Sequence, residues 1–220
     1  MNTALAESTT QPITVVPPPR TVLRIERWPD HVTAELGHDL RSPYVERFWL
    51  GILGPSALWL ARSLAYGLDE ARSFNLDLLE VARTLGLGDR VGRHSPVQRA
   101  VERLCHFELA YLRGGVTLVV RQHVAWLDDH RVHRLSETLR AEHRLWAEAD
   151  LASTPERAIR RRFASVAHLC ARNRGTPDDI GRVLAGHGVP PTVAAELTCW
   201  AIEQTQHHHP ITAQPDRLSA

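Results

Sequence analysis

Residues 76–120 place two amphipathic helices and a tight hairpin in direct succession, and any fold of this chain must seat all three. Leu76-Asp-Leu-Leu-Glu-Val-Ala-Arg-Thr-Leu-Gly-Leu87 predicts the first helix. Asp77 caps its amino end, Glu80 completes a capping box, Leu76 and Val81 stand at the staple positions, and Gly86 supplies a left-handed stop. The second helix opens at Ser95 with Pro96 in the first helical position and runs to about Phe107. Its apolar residues Val97, Ala100, Val101, Leu104 and Phe107 share one face, and Gln98, Arg99, Glu102, Arg103 and His106 share the other. Leu109–Arg113 and Val116–Val120 then read as strands joined by Gly114-Gly115, a pair suited to the left-handed backbone of a two-residue hairpin turn.

This order of elements resembles the helix-turn-helix and wing of bacterial winged-helix regulators. The resemblance covers about a fifth of the chain and rests on element order, not on an invariant motif. It implies that the second helix enters the major groove of double-stranded DNA while the hairpin touches the backbone or the minor groove. The DNA-contacting residues it points to are Ser95, Gln98, Arg99, Glu102, Arg103 and Arg113. Gln and Arg side chains can pair bidentately with adenine and guanine. Ser95 and the free amides at the helix start suit a phosphate, and Arg113 flanks the wing turn. One departure is visible: residues 86–94 separate the helices, where the tight DNA-binding turn has about three or four residues. The plain alternative is that these polar residues are the solvated face of an amphipathic helix.

The most apolar stretch lies upstream, Phe48-Trp-Leu-Gly-Ile-Leu-Gly-Pro-Ser-Ala-Leu-Trp-Leu60. Ser42-Pro43 opens it as a helix, Gly54-Pro55 breaks or kinks it, and a second helix follows to about Tyr66. Arg47 and Arg62 bracket too few residues for a bilayer span, which needs roughly twenty. A helix apolar on nearly every side must be covered on nearly every side, so it is expected to form the core, with a dimer interface as the alternative for part of it. Val22–Trp28 is a short strand that can extend the hairpin as a third strand.

Beyond the hairpin, Asp128 or Asp129 can cap a helix from about His130 to Trp146, with Val132, Leu135, Leu139 and Trp146 on one seam and Glu142 interrupting it. Asp150–Thr154 reads as a linker, and Ser153 with Glu156 as a capping box for a helix to about Arg172. Arg160-Arg161-Arg162 then falls on a solvated face. Thr176 begins a short helix and Pro191–Gln204 forms another. That pair has tight helix-turn-helix spacing, but its second helix carries Glu196 and Glu203 and no basic residue, so it would repel phosphate. The expected organisation is a disordered lead-in at 1–20, a winged-helix-like domain at 21–149, a small helical bundle at 153–206, and a flexible tail at 207–220.

Charge narrows function only locally. The net charge is +1, but residues 83–122 hold seven Arg against Asp89, Glu102 and Glu108. All 26 basic residues are Arg, a bias that a GC-rich genome explains without any selection for phosphate. Cys105, Cys170 and Cys199 form no CxxC pair, which suits small apolar residues in a reducing cytoplasm. The first twenty residues lack the basic start and apolar core of a signal peptide. His123, Asp128, His130 and His133 make the one metal-like constellation, without the spacing of a zinc motif. There is no Gly-rich phosphate loop and no GxSxG elbow. Cys105 and His106 are adjacent on a helix and cannot face each other. Together these readings predict a mainly α fold with a winged-helix-like core, a small β-hairpin wing and a helical C-terminal part. The expected function is a cytoplasmic homodimeric DNA-binding protein, a transcriptional or plasmid/genome-maintenance regulator, with no cofactor, metal or membrane partner. The alternatives are an interaction or dimerisation scaffold without DNA and, third, a metal-dependent enzyme.

Overall fold

The computed structural model describes residues 21–206, so the lead-in at 1–20 and the tail at 207–220 lie outside the described residues. The fold is mainly helical, with a mixed four-stranded sheet and a separate two-stranded one. Strand β1 (Val22–Arg27) alternates, with Leu23 and Ile25 inward and Val22 and Arg24 outward. After α1 (His31–Leu36) and β2 (His38–Asp39), the apolar stretch begins as a π-helical turn at Val45–Trp49. It continues as α2 (Leu50–Leu53), breaks at Gly54, and resumes as α3 (Pro55–Glu70). Phe48, Trp49, Ile52, Leu53, Leu58 and Leu60 are all buried, so this stretch is the core of the larger of two hydrophobic clusters.

β3 (Ser73–Asp77), α4 (Leu78–Thr84), α5 (Pro96–His106), β4 (Ala110–Arg113) and β5 (Thr117–Val120) follow. The sheet order is β3-β1-β5-β4, with β1 antiparallel to β3 and parallel to β5. β1 therefore joins the hairpin's sheet as expected, wedged between β3 and β5. Ile25 faces Phe74 on one side and Leu118 on the other. Every residue of β5 is buried, as suits a strand covered on both faces.

The first expected helix is shorter than its sequence pattern. Leu76 belongs to β3, and the Asp77 carboxylate accepts from the Leu79 amide, so the box with Glu80 is not made. Gly86 does adopt left-handed backbone, at φ 66°. β6 (His123–Val124) pairs with β2. The single helix expected at 130–146 is two, α6 (Asp129–His133), capped by Asp128, and α7 (Glu137–Ser153), capped by Ser136. The expected linker is not extended: α7 runs through Ser153 and α8 (Pro155–Arg172) starts after Thr154. Ser153 makes no capping box, because its hydroxyl donates to the Asp150 carbonyl at 3.2 Å.

α8, α9 (Pro177–Gly186) and α10 (Pro191–Gln206) build the second cluster, and Val32 and Leu36 of α1 complete it. One buried polar junction ties this bundle to the sheet. The Arg121 guanidinium donates to the Glu108 carbonyl at 2.8 Å and to the Thr33 hydroxyl at 3.1 Å, and it contacts Asp30 and the Gln204 amide oxygen. It also lies over the Trp28 ring, 4.0 Å from the centroid. Asp30 in turn accepts from the Trp200 indole at 2.8 Å and caps α1 through the Thr33 amide. Burial opposes the Arg121 charge, and this ring of acceptors offsets it.

Candidate functional site

The amino end of α5 is built by its own sequence. Ser95 takes an extended backbone and its hydroxyl accepts from the Gln98 amide at 3.2 Å, while Pro96 removes a donor the helix would otherwise leave unpaired. Val97, Ala100, Val101 and Leu104 are buried and seat the helix in the larger core. The hairpin turns at Gly114 and Gly115, with φ of 61° and 73°, but Arg113 pairs with Thr117, so Val116 joins the loop and the connection is three residues long where two were expected. Leu85, Leu87 and Val91 pack against the core and hold down the connection 85–95 that leads into α5.

The six expected DNA-contacting residues part company here. Ser95 is only 6% exposed and its hydroxyl is committed to the cap, so it is not a free phosphate ligand. Gln98 donates to Glu102 one turn on, at 3.4 Å. Arg103 donates to the Ile52 carbonyl from Nε at 3.2 Å and from Nη2 at 2.5 Å, and lies over the Phe107 ring. The break at Gly54 diverts the chain that would have supplied that carbonyl with a helical donor, and Arg103 takes its place. Arg113 pairs with Glu26 of β1. Arg24, at 2.9 Å from Glu26, and then Arg113 hold that carboxyl below its ordinary value. Arg99 is exposed, and its side chain has no hydrogen-bond or ion-pair partner among the described residues.

Two arginines just ahead of α5 share this character. Arg90 and Arg93 are exposed on the connection before α5 and have no partner among the described residues. The nearby acid Asp89 is taken by Arg83 at 3.1 Å. Sequence reasoning passed over Arg90 and Arg93; the available signal was their place just ahead of a capped, amphipathic helix. Arg121, counted in the same basic stretch, is interior and adds nothing to the surface. Three unengaged arginines thus lie in and just ahead of the amino half of α5, with Glu102 as the opposing acid; Arg72, Arg134, Arg144, Arg162 and Arg174 are likewise exposed and unpaired at other places along the described chain.

Elsewhere, Arg160 bridges Glu35 and Glu196, and Arg161 pairs with Asp150, so neither is a merely solvated charge as expected. Among the described residues no three His, Cys, Asp or Glu side chains are grouped to hold a metal ion. No helix among them is long and apolar enough to cross a membrane. Comparisons with protein-family models, curated proteins and solved structures return no match.

Proposed function

We propose that the chain is a winged-helix-like DNA-binding protein, a transcriptional or plasmid/genome-maintenance regulator, with α5 as its recognition helix. The succession α3, β3, α4, α5 and the β4–β5 hairpin supports this reading, with β1 as an added strand between β3 and β5. The observation that carries it is the set of three unengaged, exposed arginines, Arg90, Arg93 and Arg99, around the start of a firmly seated helix. Such charges suit phosphate contacts, and Arg99 stands where a side chain on the helix can reach a base edge. Selection of bound fragments from random DNA tests the proposal. The expected result is a recovered sequence preference whose affinity falls with salt. No retardation of any fragment pool at about 50 mM salt, where electrostatic binding is strong, would sink it.

A homodimer goes with this reading. Most of the apolar stretch at 48–60 is consumed by the core, but Trp59 and Tyr66 on α3 remain 56% and 55% exposed. Arg62 and Arg41 lie over their rings at 5.2 Å and 5.0 Å. Exposed aromatics beside arginine are typical interface anchors, and a two-fold axis near them would space two copies of α5 along a palindromic site. If protein instead of DNA covers the Arg99 face, the scaffold alternative takes over.

A further inference from the structure

The outer face of the four-stranded sheet gathers an ion cluster that no short stretch of the sequence contains. Arg24 of β1 and Arg113 of β4 both stand directly beside Thr117 of β5, so the two arginines leave the same face with one strand between them. Glu26 follows Arg24 by two residues and shares that face. One carboxylate oxygen of Glu26 accepts from Arg24 Nε at 2.9 Å, and the other accepts from Arg113 Nη2. Arg24 also donates to the Ser73 hydroxyl at 2.9 Å, and its amide donates to the Val116 carbonyl at 2.9 Å, which ties β1 to the hairpin loop. Side-chain exposure is 55% for Arg24 and 56% for Arg113, but 27% for Glu26. Solvent thus reaches both guanidinium groups, and the carboxylate is the most covered of the three.

In other ion pairs of the described surface the arginine is the shared member: Arg41 lies between Asp39 and Asp69, and Arg160 between Glu35 and Glu196. At Glu26 the proportion reverses, and two arginines share one carboxylate. Asp77 of β3, beside Val22 on the same face, is committed to capping α4. The cluster therefore keeps a net positive charge where solvent reaches it, an arrangement that attracts an anion. We propose that Arg24 and Arg113 form a clasp for one backbone phosphate of duplex DNA, with Glu26 as its internal competitor. The carboxylate holds the two guanidinium groups together in the free protein, and a phosphate must displace it to be gripped. Exposed ion pairs are weak enough to be exchanged in this way, and guanidinium pairs with phosphate as it does with carboxylate. Glu26 thereby lowers the affinity of the hairpin for DNA of any sequence and leaves discrimination to α5. The clasp rests on the reading of the chain as a DNA-binding protein, and it adds β1 to the surface that meets DNA.

Retardation of random-sequence duplex DNA by the full chain, over about 50–200 mM salt, tests the clasp. Glu26→Gln keeps the shape of the side chain and removes its charge. It should tighten binding about fivefold at the lowest salt and steepen the slope of log K against log salt by about one, as one more phosphate contact would. The same substitution made together with Arg24→Ala and Arg113→Ala should give less than about a twofold gain over those two alone, because a charge that acts only at a distance is screened. Unaltered protein that binds DNA with no gain from Glu26→Gln overturns the clasp and leaves the DNA reading standing. So does a gain of the same size without the two arginines, which would mark a general effect of charge. No retardation by either the unaltered chain or Glu26→Gln removes the DNA reading and the clasp together.

Discussion

Arg99 and Arg103 lie one turn apart on α5, yet their side chains have different surroundings and should fail differently. The Arg99 side chain makes no hydrogen bond or ion pair among the described residues, so Arg99→Ala should leave the melting temperature unchanged. If α5 reads DNA, the same change should weaken binding by about 1–3 kcal/mol and relax preference at one base position. Arg103 replaces the missing donor of the Ile52 carbonyl. Arg103→Ala should therefore lower the urea midpoint, by about 1 kcal/mol of stability, since the bond is charged but partly wet. Nothing in the local sequence distinguishes the two residues, because Arg103's partner is 51 positions away. Histidines set a further expectation at this scale. Burial, followed by Arg161 and Arg157, holds His38 at about 4, and burial outweighs Glu108 in lowering His168. In the unfolded chain both titrate near 6.5. The unfolded state thus binds more protons between those values, so their stabilisation is present above about pH 6.5 and is lost as pH falls towards 4. Each contributes a slope of up to about 1.4 kcal/mol per pH unit. Urea midpoints measured from pH 7 to pH 4.5 should fall accordingly, and His38→Phe should flatten that fall; an unchanged slope would count against it.

At the scale of elements, two glycines show how differently a helix can depend on the absence of a side chain. Gly54 stands at φ 73°, ψ 161°, with open space where a Cβ would lie. Gly54→Ala should therefore destabilise through backbone strain alone, by about 1–3 kcal/mol. Gly67 of α3 has ordinary helical surroundings, but a Cβ there would come within 2.6 Å of the Phe74 ring on β3. Its substitution should disturb the packing of α3 on the sheet, which near-ultraviolet circular dichroism would register and Gly54→Ala would not. The Gly54-Pro55 break was legible from the dipeptide itself. The gap between α6 and α7 was not, because Val132, Leu135 and Leu139 keep a helical rhythm across it while Ser136 restarts the helix with its own cap.

For the whole molecule, the Arg121 junction joins segments that are remote in sequence: Asp30 and Thr33 at one end, Glu108 in the middle, Gln204 and Trp200 at the other. Asp30→Ala would leave a buried guanidinium without its countercharge and α1 without its cap. It should cost about 3–5 kcal/mol, read as a loss of melting temperature and of Trp200 fluorescence burial. Assembly is the other question at this scale. Light scattering at micromolar concentration should give about twice the 24.7 kDa chain mass, and Trp59→Ser should return it to the monomer. A monomeric mass that persists on concentrating would remove the two-fold arrangement and, with it, the palindromic site.

Local chemistry in the sequence determined much of the secondary structure: the Ser95 cap with Pro96, the Gly114-Gly115 turn, the Gly54-Pro55 break, and the strand at Val22–Arg27. Each depends on residues within a few positions of one another, so backbone preference and hydrophobic period suffice to read it. The tertiary structure decided which polar side chains remain available. Arg103, Arg113 and Arg121 look as free as Arg99 along the chain, but each is engaged by a group its neighbours do not reveal. The same holds for the aromatic surroundings of His38, where β2, the segment after β6 and α7 meet. Burial and long-range pairing act through space, and a linear pattern records only the residue type that could take part.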